Sequence, residues 1–431
     1  MKVMGSMEIR NNVLYIGGMN TGELVKEYKT PLYVIDEELV RDRCRRYYKS
    51  FEADKANKVT YAGKAFLTLA MCQIINDEGL YLDVVSDGEL YTALKSGFPM
   101  KKVYFHGNNK TLDEIEMGVK LGVGKFVVDN FYEMEKINSI AKKYGKIQKI
   151  LLRVTPGIEA HTHDYIKTGQ IDSKFGFTML NDEVMNITKS AVDFPNLKFA
   201  GIHCHIGSQI FETKPYEDEV EIMLNMIKKI KDELGCEVEE LDLGGGFGIY
   251  YTEGDKPKSV EDFCSIILQK AREKAKELDL KLPTLVIEPG RSIIGNAGTT
   301  LYTVGSIKNI PGVRKYVSVD GGMADNIRPA LYGAKYECVL ANRVNGGAKE
   351  TVTIAGKSCE SGDILIKDVG LPETKSGDIL AVFTTGAYGY SMSSNYNKIA
   401  KPAVVLVNGG KARLIAKRQT FDNLIENEIM L

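Results

Sequence analysis

The sequence lacks the features that would send a chain into or through a membrane. No apolar run approaches the roughly 20 residues that a membrane-spanning helix needs. The segment Met1–Glu8 has no apolar core of a secretion signal, and motifs for lipid attachment or retrieval are missing. We therefore expect a cytoplasmic protein without a membrane partner.

The net charge is also small, and the cysteines are few and form no recognisable pattern. The formal net charge is -1, so no bulk field favours binding to nucleic acid. The cysteines are scattered, odd in number and without a C-x-x-C pair, which argues against a disulfide framework or a structural zinc site and fits a reducing cytoplasm. Most should be buried apolar fillers. The seven are Cys44, Cys72, Cys204, Cys236, Cys264, Cys338 and Cys359.

Short β-rich runs, each followed by a helix-like stretch, recur through the first part of the chain. Their spacing leaves room for a crossover helix between successive strands. Eight apolar strands alternating with amphipathic helices predict an α/β protein with a (β/α)8 barrel of the TIM type. The predicted strands are Lys58–Tyr61, Tyr81–Ser86, Lys102–His106, Lys125–Asp129, Ile150–Thr155, Phe199–His205, Glu240–Leu243 and Thr284–Glu288.

After about Gly295 the pattern changes to strands without crossover helices, several of them separated by Gly or Asn-Gly turns. This predicts an antiparallel β domain with a sandwich-like or barrel-like form. We expect residues 36–298 to form the barrel, and residues 1–35 with 299–431 to form the β domain. Its predicted strands are Val304–Ile307, Tyr316–Val319, Ala334–Leu340, Thr351–Ile354, Ile379–Phe383 and Ala403–Val407.

All eight predicted barrel strands end in polar or glycine-rich residues, and chemistry in such barrels occurs at this end. Lys64 follows the first strand. A lone lysine there is ordinarily a solvated charge, but it could also be held and aimed at a cofactor.

His203 and His205 alternate along one strand and so face the same way. An H-x-H pair can bind a metal or fill the core, but no obvious acidic partner accompanies it, and we expect no metal. A flat imidazole could instead pack on a flat cofactor ring.

A triple glycine, Gly244-Gly245-Gly246, follows the seventh predicted strand. Such a turn lets the backbone approach a ligand and its N–H groups converge on a phosphate, which barrels often bind at this place. It is not a dinucleotide fingerprint, because Ile249 occupies the place of the last glycine. A flexible turn is the alternative. Ser208, just past the preceding strand, could also donate to a phosphate.

Glu288 ends the eighth strand, three positions before Arg291. The two could be a solvated salt pair. A carboxylate facing a pyridine nitrogen would instead keep that nitrogen protonated and make the ring of pyridoxal phosphate a strong electron sink, which favours decarboxylation. An arginine facing the same nitrogen would favour racemisation, so Glu288 argues against an alanine racemase.

Several motifs occur in the same order as in a known family. The chain resembles the group IV, alanine-racemase-like barrel-fold pyridoxal-phosphate decarboxylases, and within them the diaminopimelate decarboxylase family. The resemblance covers nearly the whole chain. The motifs are Tyr61–Ala65, Ser173–Gly176, His203–Gln209, Gly244–Gly248, Glu288–Arg291, Arg328–Tyr332, Cys359–Asp363 and Gly386–Tyr388.

The resemblance implies pyridoxal 5'-phosphate as cofactor and a role for each matching residue. Lys64 would carry the cofactor as a Schiff base, and Cys359 would protonate the substrate carbon of a quinonoid intermediate after carbon dioxide leaves. The residues expected to hold the cofactor are Lys64, His205, Ser208, Gly244, Gly245, Gly246, Glu288, Pro289, Gly290, Arg291 and Tyr388. Those expected to bind substrate are Arg291, Arg328, Tyr332, Glu360 and Tyr388. In the family Cys359 and Glu360 reach the site from the partner subunit, so the resemblance implies a homodimer with shared active sites.

The implied reaction converts meso-2,6-diaminopimelate to L-lysine and carbon dioxide, the last step of lysine biosynthesis. Arg291 and Arg328 suit a planar distal carboxylate, which ornithine lacks. Two alternatives remain: a related decarboxylase acting on ornithine, arginine, carboxynorspermidine or carrier-bound glutamate, and a non-catalytic homologue that binds the cofactor. The second should have lost Lys64, Cys359 or the arginines, and none is lost. The segment Ile158–Lys174 is expected to be a mobile loop near the site.

Overall fold

The computed structural model describes residues 2–51, 57–158 and 172–431, so most of the predicted loop 158–174 lies outside the described residues. None of the helices in these ranges combines the length and apolar character needed to cross a membrane.

The strands are β1 (Glu8–Arg10), β2 (Val13–Ile16), β3 (Met19–Asn20), β4 (Leu32–Asp36), β5 (Lys58–Ala62), β6 (Tyr81–Val84), β7 (Val103–Phe105), β8 (Lys125–Val128), β9 (Gln148–Thr155), β10 (Phe177–Thr178), β11 (Leu197–His203), β12 (Glu240–Asp242), β13 (Thr284–Ile287), β14 (Gly298–Ile310), β15 (Arg314–Val319), β16 (Cys338–Leu340), β17 (Glu350–Ala355), β18 (Ile364–Leu371), β19 (Ile379–Val382), β20 (Ala403–Asn408) and β21 (Lys411–Ala416). The helices are α1 (Thr21–Tyr28), α2 (Glu37–Phe51), α3 (Leu69–Asp77), α4 (Asp87–Ser96), α5 (Leu112–Leu121), α6 (Phe131–Lys143), α7 (Glu183–Asp193), α8 (Lys214–Leu234), α9 (Val260–Glu277), α10 (Arg291–Ile294), α11 (Arg328–Tyr332) and α12 (Phe421–Ile425).

One of two compact units comprises residues 43–248 and 256–292. Its eight parallel strands pair in the order β5, β6, β7, β8, β9, β11, β12, β13, and β13 pairs again with β5, so the sheet closes. Each of the eight corresponds to a predicted strand. The predicted (β/α)8 barrel is therefore confirmed. The short β10 is an addition that pairs with β9.

Side-chain caps begin the helices directly after the strands. The hydroxyl of Ser86 accepts the N–H of Glu89 at 3.2 Å before α4, and the amide oxygen of Asn130 accepts the N–H of Glu133 at 2.9 Å before α6. Thr111 forms a complete capping box at the start of α5. These bonds satisfy N–H groups that a first turn leaves without helical partners, and so the connections can stay short.

The barrel interior has a layer of apolar side chains and, at one end, a layer of charged side chains that we call the floor. At the floor, Lys58 and Lys125 form ion pairs with Glu240, and Tyr104 donates to the same carboxylate at 2.7 Å. Burial lowers the pKa of Lys125 to about 8. Because these three charged residues begin their strands, the floor lies at the amino end, opposite the end where barrel chemistry occurs. The apolar layer contains Tyr104, Val127, Leu151 and Ala200.

The other unit comprises residues 1–42, 249–255 and 293–431. Its main sheet runs in the order β18, β17, β15, β14, β4, β20, β21, and β19 joins β16 to β14. Most neighbours are antiparallel, which confirms the predicted class, but β4 with β20 and β15 with β17 are parallel. Strand β4 precedes the barrel in sequence and lies between two C-terminal strands, so the sheet is built from both ends of the chain.

Candidate active site

Lys64 lies at the carboxyl end of the first barrel strand. It occupies a single 3-10 turn, Gly63–Ala65, directly after β5, and its side chain is exposed. A Cβ added to Gly63 would lie 2.7 Å from the backbone oxygen of Asp83 in β6. The turn therefore packs directly on the neighbouring strand. This contact presents the lysine amine on a rigid backbone at the end of the barrel where we expect the chemistry.

Glu288 lies buried between two imidazole rings. Nε2 of His106 is 2.8 Å from one carboxylate oxygen, and Nε2 of His203 is 3.2 Å from the other. Burial alone would raise the pKa of Glu288, but the two histidines hold it well below its usual value. Burial lowers the pKa of His203 to about 4, so its neutral ring contributes a hydrogen bond rather than a charge. The result is a fixed buried anion.

The same cluster corrects one sequence-based interpretation. One imidazole nitrogen of His106, one of His203 and one carboxylate oxygen of Glu288 lie within 4.8 Å of one another. The statement that no obvious acidic partner accompanies the histidine pair was therefore wrong. The carboxylate comes from a distant part of the chain, and barrel closure brings the two together. His205 lies just beyond β11 and has a different partner, because its Nδ1 accepts the N–H of Gly245 at 3.2 Å. Burial, and then the charge of Lys64, hold the pKa of His205 well below its usual value.

Two further buried acids surround Glu288 and were missed by the sequence analysis. Burial raises the pKa of Asp83, and burial together with the Glu288 charge raises that of Asp242 well above its usual value. The pKa of Asp242 is therefore shifted towards the protonated form and that of Glu288 towards the anion. Each aspartate keeps one carboxyl oxygen without a hydrogen-bond partner among the described residues. An acid within a predicted apolar barrel strand was the signal that could have found both.

The triple-glycine turn and its neighbours provide the donors that a phosphate requires. Gly244 has a φ of 61°, in the left-handed region that favours glycine. A Cβ added to Gly245 would meet the backbone oxygen of Glu288 at 2.2 Å. Nearby, Nη2 of Arg291 donates to the hydroxyl of Ser208 at 2.9 Å. A guanidinium, a hydroxyl and a glycine turn fit a phosphorylated cofactor.

The remaining predicted cofactor residues of the barrel form tight backbone contacts at the same rim. A Cβ added to Gly246 would lie 2.4 Å from the backbone oxygen of Gly207, and one added to Gly290 would lie 2.9 Å from the Cβ of Ala62. The N–H of Ala62 donates to the backbone oxygen of Pro289 at 3.3 Å. These contacts join the loop after the eighth strand to the end of the first, which carries the lysine.

In the other unit, Arg328 lies within a cage of tyrosines. Its guanidinium carbon is 5.4, 5.9 and 5.8 Å from the ring centroids of Tyr251, Tyr332 and Tyr388, and Nη1 donates to the hydroxyl of Tyr251 at 2.9 Å. Arg328 is only 8% exposed, yet it has no carboxylate partner within the described ranges, and its Nε has no hydrogen bond there. The cage therefore presents a buried cation that can receive a carboxylate from outside. No sequence pattern had indicated Tyr251.

Tyr388 has a strained backbone. Its φ is 58°, a left-handed value that costs a non-glycine residue about 1–2 kcal/mol. Such strain persists only where the surroundings impose it, and it is concentrated at functional sites. The neighbouring Gly389 packs too closely for a side chain, because an added Cβ would lie 2.5 Å from the backbone oxygen of Thr385. The fold therefore holds the backbone of Tyr388 in a defined conformation.

Cys359 and Glu360 lie on an exposed loop between β17 and β18. The N–H of Cys359 donates to the side-chain oxygen of Asn397 at 2.9 Å, and a carboxylate oxygen of Glu360 accepts the N–H of Gly362 at 3.2 Å. Among the cysteines, Cys359 is exposed, Cys236 is half-buried and the other five are buried. The expectation that most cysteines are buried is confirmed, and Cys359 is the one that is exposed.

Comparison with known proteins agrees with the barrel fold. The family described as "Pyridoxal-dependent decarboxylase, pyridoxal binding domain" matches residues 37–295, more than half of the chain. The closed barrel, with a lysine, a buried carboxylate and a glycine-rich turn at one end, is therefore that of a pyridoxal-dependent decarboxylase. Its cofactor is pyridoxal 5'-phosphate, as predicted.

Individual relatives define the family more narrowly. Diaminopimelate decarboxylase of Bacillus subtilis (strain 168) is 49% identical over 425 residues, which cover 98% of this chain and 97% of the relative. The enzyme of that name from Bacillus methanolicus is 53% identical over 407 residues, 94% of each chain. The crystal structure of diaminopimelate decarboxylase from M. jannaschii has a TM-score of 0.93 at 36% identity and covers 99% of this chain and 98% of that one. The chain belongs to the diaminopimelate decarboxylase family.

Proposed function

We propose that this protein decarboxylates meso-2,6-diaminopimelate to L-lysine and carbon dioxide. The observation that carries the proposal is the buried Arg328, which is surrounded by tyrosines and has no carboxylate partner among the described residues. A dicarboxylic substrate supplies that partner. The names of the relatives support the same substrate, and a structure of the M. jannaschii enzyme is a co-complex with L-lysine.

The distal carboxylate provides the selection against other basic amino acids. We assign its binding to Arg291, Arg328 and Tyr332, with Tyr388 contacting both substrate and cofactor. A substrate such as ornithine would leave the buried Arg328 without a counter-ion, and an uncompensated buried charge costs about 3–5 kcal/mol. That corresponds to roughly a 100-fold to 5,000-fold preference for the diacid.

The barrel rim would hold the cofactor and control its charge. We assign covalent attachment to Lys64, stacking on the ring to His205, and binding of the phosphate to Ser208, the triple glycine and the Pro289-Gly290-Arg291 turn. Bound pyridoxal phosphate supplies a sink for the electron pair left on carbon when carbon dioxide departs. Glu288, an anion held by two histidines, would keep the ring nitrogen protonated and so maintain that sink.

The proton that replaces carbon dioxide would come from Cys359. A thiol has a reference pKa of roughly 8.5 and can donate near neutral pH. We assign recognition of the distal ammonium to Glu360. Both side chains are exposed in the single chain, which is consistent with their acting in the site of a second copy. We therefore propose a cytoplasmic homodimer whose predicted β domain, residues 1–35 with 299–431, completes the active site at the dimer interface.

The first test measures carbon dioxide and amine release by the purified protein with pyridoxal phosphate. The panel is meso-diaminopimelate, its LL and DD isomers, L-ornithine, L-arginine and D-lysine. We expect lysine from the meso compound and no product from the monocarboxylates. Turnover of a monocarboxylate instead would reject the carboxylate-binding role of Arg328. Cofactor binding without any turnover would identify a non-catalytic homologue.

A second test concerns Lys64. Borohydride treatment of the holoenzyme should fix the cofactor to the peptide that contains Lys64, and mass spectrometry locates the added mass. Lys64→Ala should remove this adduct, whereas the surface variant Lys95→Ala should keep it. An adduct of equal yield on another lysine of Lys64→Ala protein would reject the assignment.

A further inference from the structure

We propose that Asp363 is a positioning residue that holds the loop carrying Cys359 and Glu360. The inference deepens the proposed function, because it concerns how the chain presents its proton donor and its ammonium-binding carboxylate. The loop, residues 357–362, lies between β17 and β18, and Asp363 directly follows it and is buried, with only 3% exposure.

The carboxylate of Asp363 binds backbone N–H groups from two separate segments. One oxygen accepts the N–H of Met323 at 2.6 Å, and the other accepts the N–H of Ser358 at 2.8 Å. The N–H of Asp363 itself donates to the backbone oxygen of Glu360 at 3.1 Å. No lysine or arginine within the described ranges forms an ion pair with this carboxylate. Both hydrogen bonds that this carboxylate accepts therefore come from the backbone.

Two glycines make room for this carboxylate. A Cβ added to Gly356 would lie 2.2 Å from both oxygens of Asp363, and a Cβ added to Gly322 would lie 2.5 Å from them. The three atoms nearest the added Cβ at Gly356 all belong to the Asp363 carboxylate. Position 356 therefore requires glycine because the Asp363 carboxylate packs directly against the backbone there.

The hydrogen bonds connect the Cys359 loop to the segment that leads to Arg328. Met323 lies in the turn between β15 and α11, the helix that begins at Arg328. A second link in the same place runs from the N–H of Lys357 to the backbone oxygen of Gly321 at 2.9 Å. One buried carboxylate therefore controls the geometry of the proton-donor loop relative to the turn before the carboxylate-binding helix.

The experiment compares Asp363→Ala and Asp363→Asn with Asp368→Ala, a control at an exposed aspartate of β18. We expect Asp363→Ala to lower kcat for meso-diaminopimelate at least about tenfold at unchanged cofactor loading. Asp363→Asn should restore part of that loss, because one acceptor oxygen remains. A kcat within about twofold of the wild type for Asp363→Ala would overturn the proposal.

A second readout does not depend on activity. Because Cys359 is the exposed cysteine, its rate of alkylation by a small thiol reagent reports the loop conformation. We expect Asp363→Ala to change this rate and to increase hydrogen exchange at the amides of Ser358 and Met323, with Asp368→Ala unchanged. If the wild type forms no lysine but these changes occur, the proposed function fails and the positioning role stands. Unchanged alkylation and exchange would reject the positioning role whatever the activity.

A double-mutant cycle covers the case in which Asp363→Ala folds poorly. Gly356→Ala should disturb the loop, because the new methyl group meets the carboxylate, whereas Gly305→Ala, whose nearest neighbour would be 3.7 Å away, should not. In the Asp363→Ala background the same Gly356→Ala change should cost much less in melting temperature and in Cys359 alkylation. Additive effects of the two substitutions would show that the carboxylate does not occupy the space next to Gly356, and would overturn the proposal.

Discussion

Glu219 offers a test of the barrel's electrostatics that is separate from catalysis. It lies on α8 with no exposed surface, and one carboxyl oxygen accepts a hydrogen bond from the thiol of Cys204 at 3.0 Å. The other oxygen has no hydrogen-bond partner among the described residues. Burial raises the pKa of Glu219 to about 8. We predict that Glu219→Gln stabilises the protein at alkaline pH and changes its stability little in acid.

The magnitude follows from the two pKa values. In the unfolded chain Glu219 ionises near 4.5, whereas in the folded protein it keeps its proton up to about 8. Between these values the folded state binds a proton that the unfolded state has released, so the free energy of unfolding falls by about 1.4 kcal/mol per pH unit. The loss over the whole window is about 5 kcal/mol. Glutamine cannot ionise and still offers an oxygen to Cys204, so the variant escapes this loss.

The assay is urea denaturation followed by circular dichroism at about pH 5, 6.5 and 8.5. The free energy of unfolding of Glu219→Gln minus that of the wild type should rise by several kcal/mol from the lowest to the highest pH, on the order of the loss derived above. Glu233→Gln, an exposed glutamate of the same helix, is the matched control and should show a constant difference. A pH-independent difference for Glu219→Gln would refute a buried, protonated carboxyl at this position.

Three further predictions concern the proposed site. Cys359→Ala should retain the cofactor but lose on the order of 100-fold in kcat, because no thiol delivers the proton, whereas Cys236→Ala should keep its activity; full activity of Cys359→Ala would reject the donor assignment. Arg328→Leu should raise KM for meso-diaminopimelate by about 100-fold with unchanged cofactor loading, and an unaltered KM would contradict the carboxylate role. Glu288→Gln should still bind the cofactor, seen by its absorbance, but slow decarboxylation by roughly 100-fold, since the ring nitrogen loses its anion; wild-type turnover would contradict that role.

The barrel strands were predictable because buried parallel strands form continuous apolar runs. β13 is a clear case, since all of Leu285, Val286 and Ile287 are buried. By contrast, β18 and β21 were not predicted. Both lie at the edges of their sheet and carry exposed charged residues between apolar ones, so their local sequences do not differ from those of loops. The parallel pairings of β4 with β20 and of β15 with β17 were also missed, because strand direction depends on how distant segments assemble.

The site residues were predictable in type but not in their partners. Lys64, the triple glycine and Glu288 each follow a strand, and parallel strands bring their carboxyl ends to one rim, so proximity could be argued from spacing. The contact between His106 and Glu288 could not, because it depends on the order of strands around the closed barrel. Tyr251 could not be found either, because its contact with Arg328 follows from the path of a loop rather than from any motif.

The sequence by itself determined where strands and helices alternate, which strand ends carry polar groups, and which family the motifs resemble, since each depends on residue types at short spacing. Only the tertiary structure decided the charge of individual groups. Glu288 becomes an anion because two imidazoles from separate strands contact it, and Glu219 keeps its proton because a helix buries it against the sheet. Burial and the approach of distant side chains are properties of the assembled chain, and no local pattern encodes them.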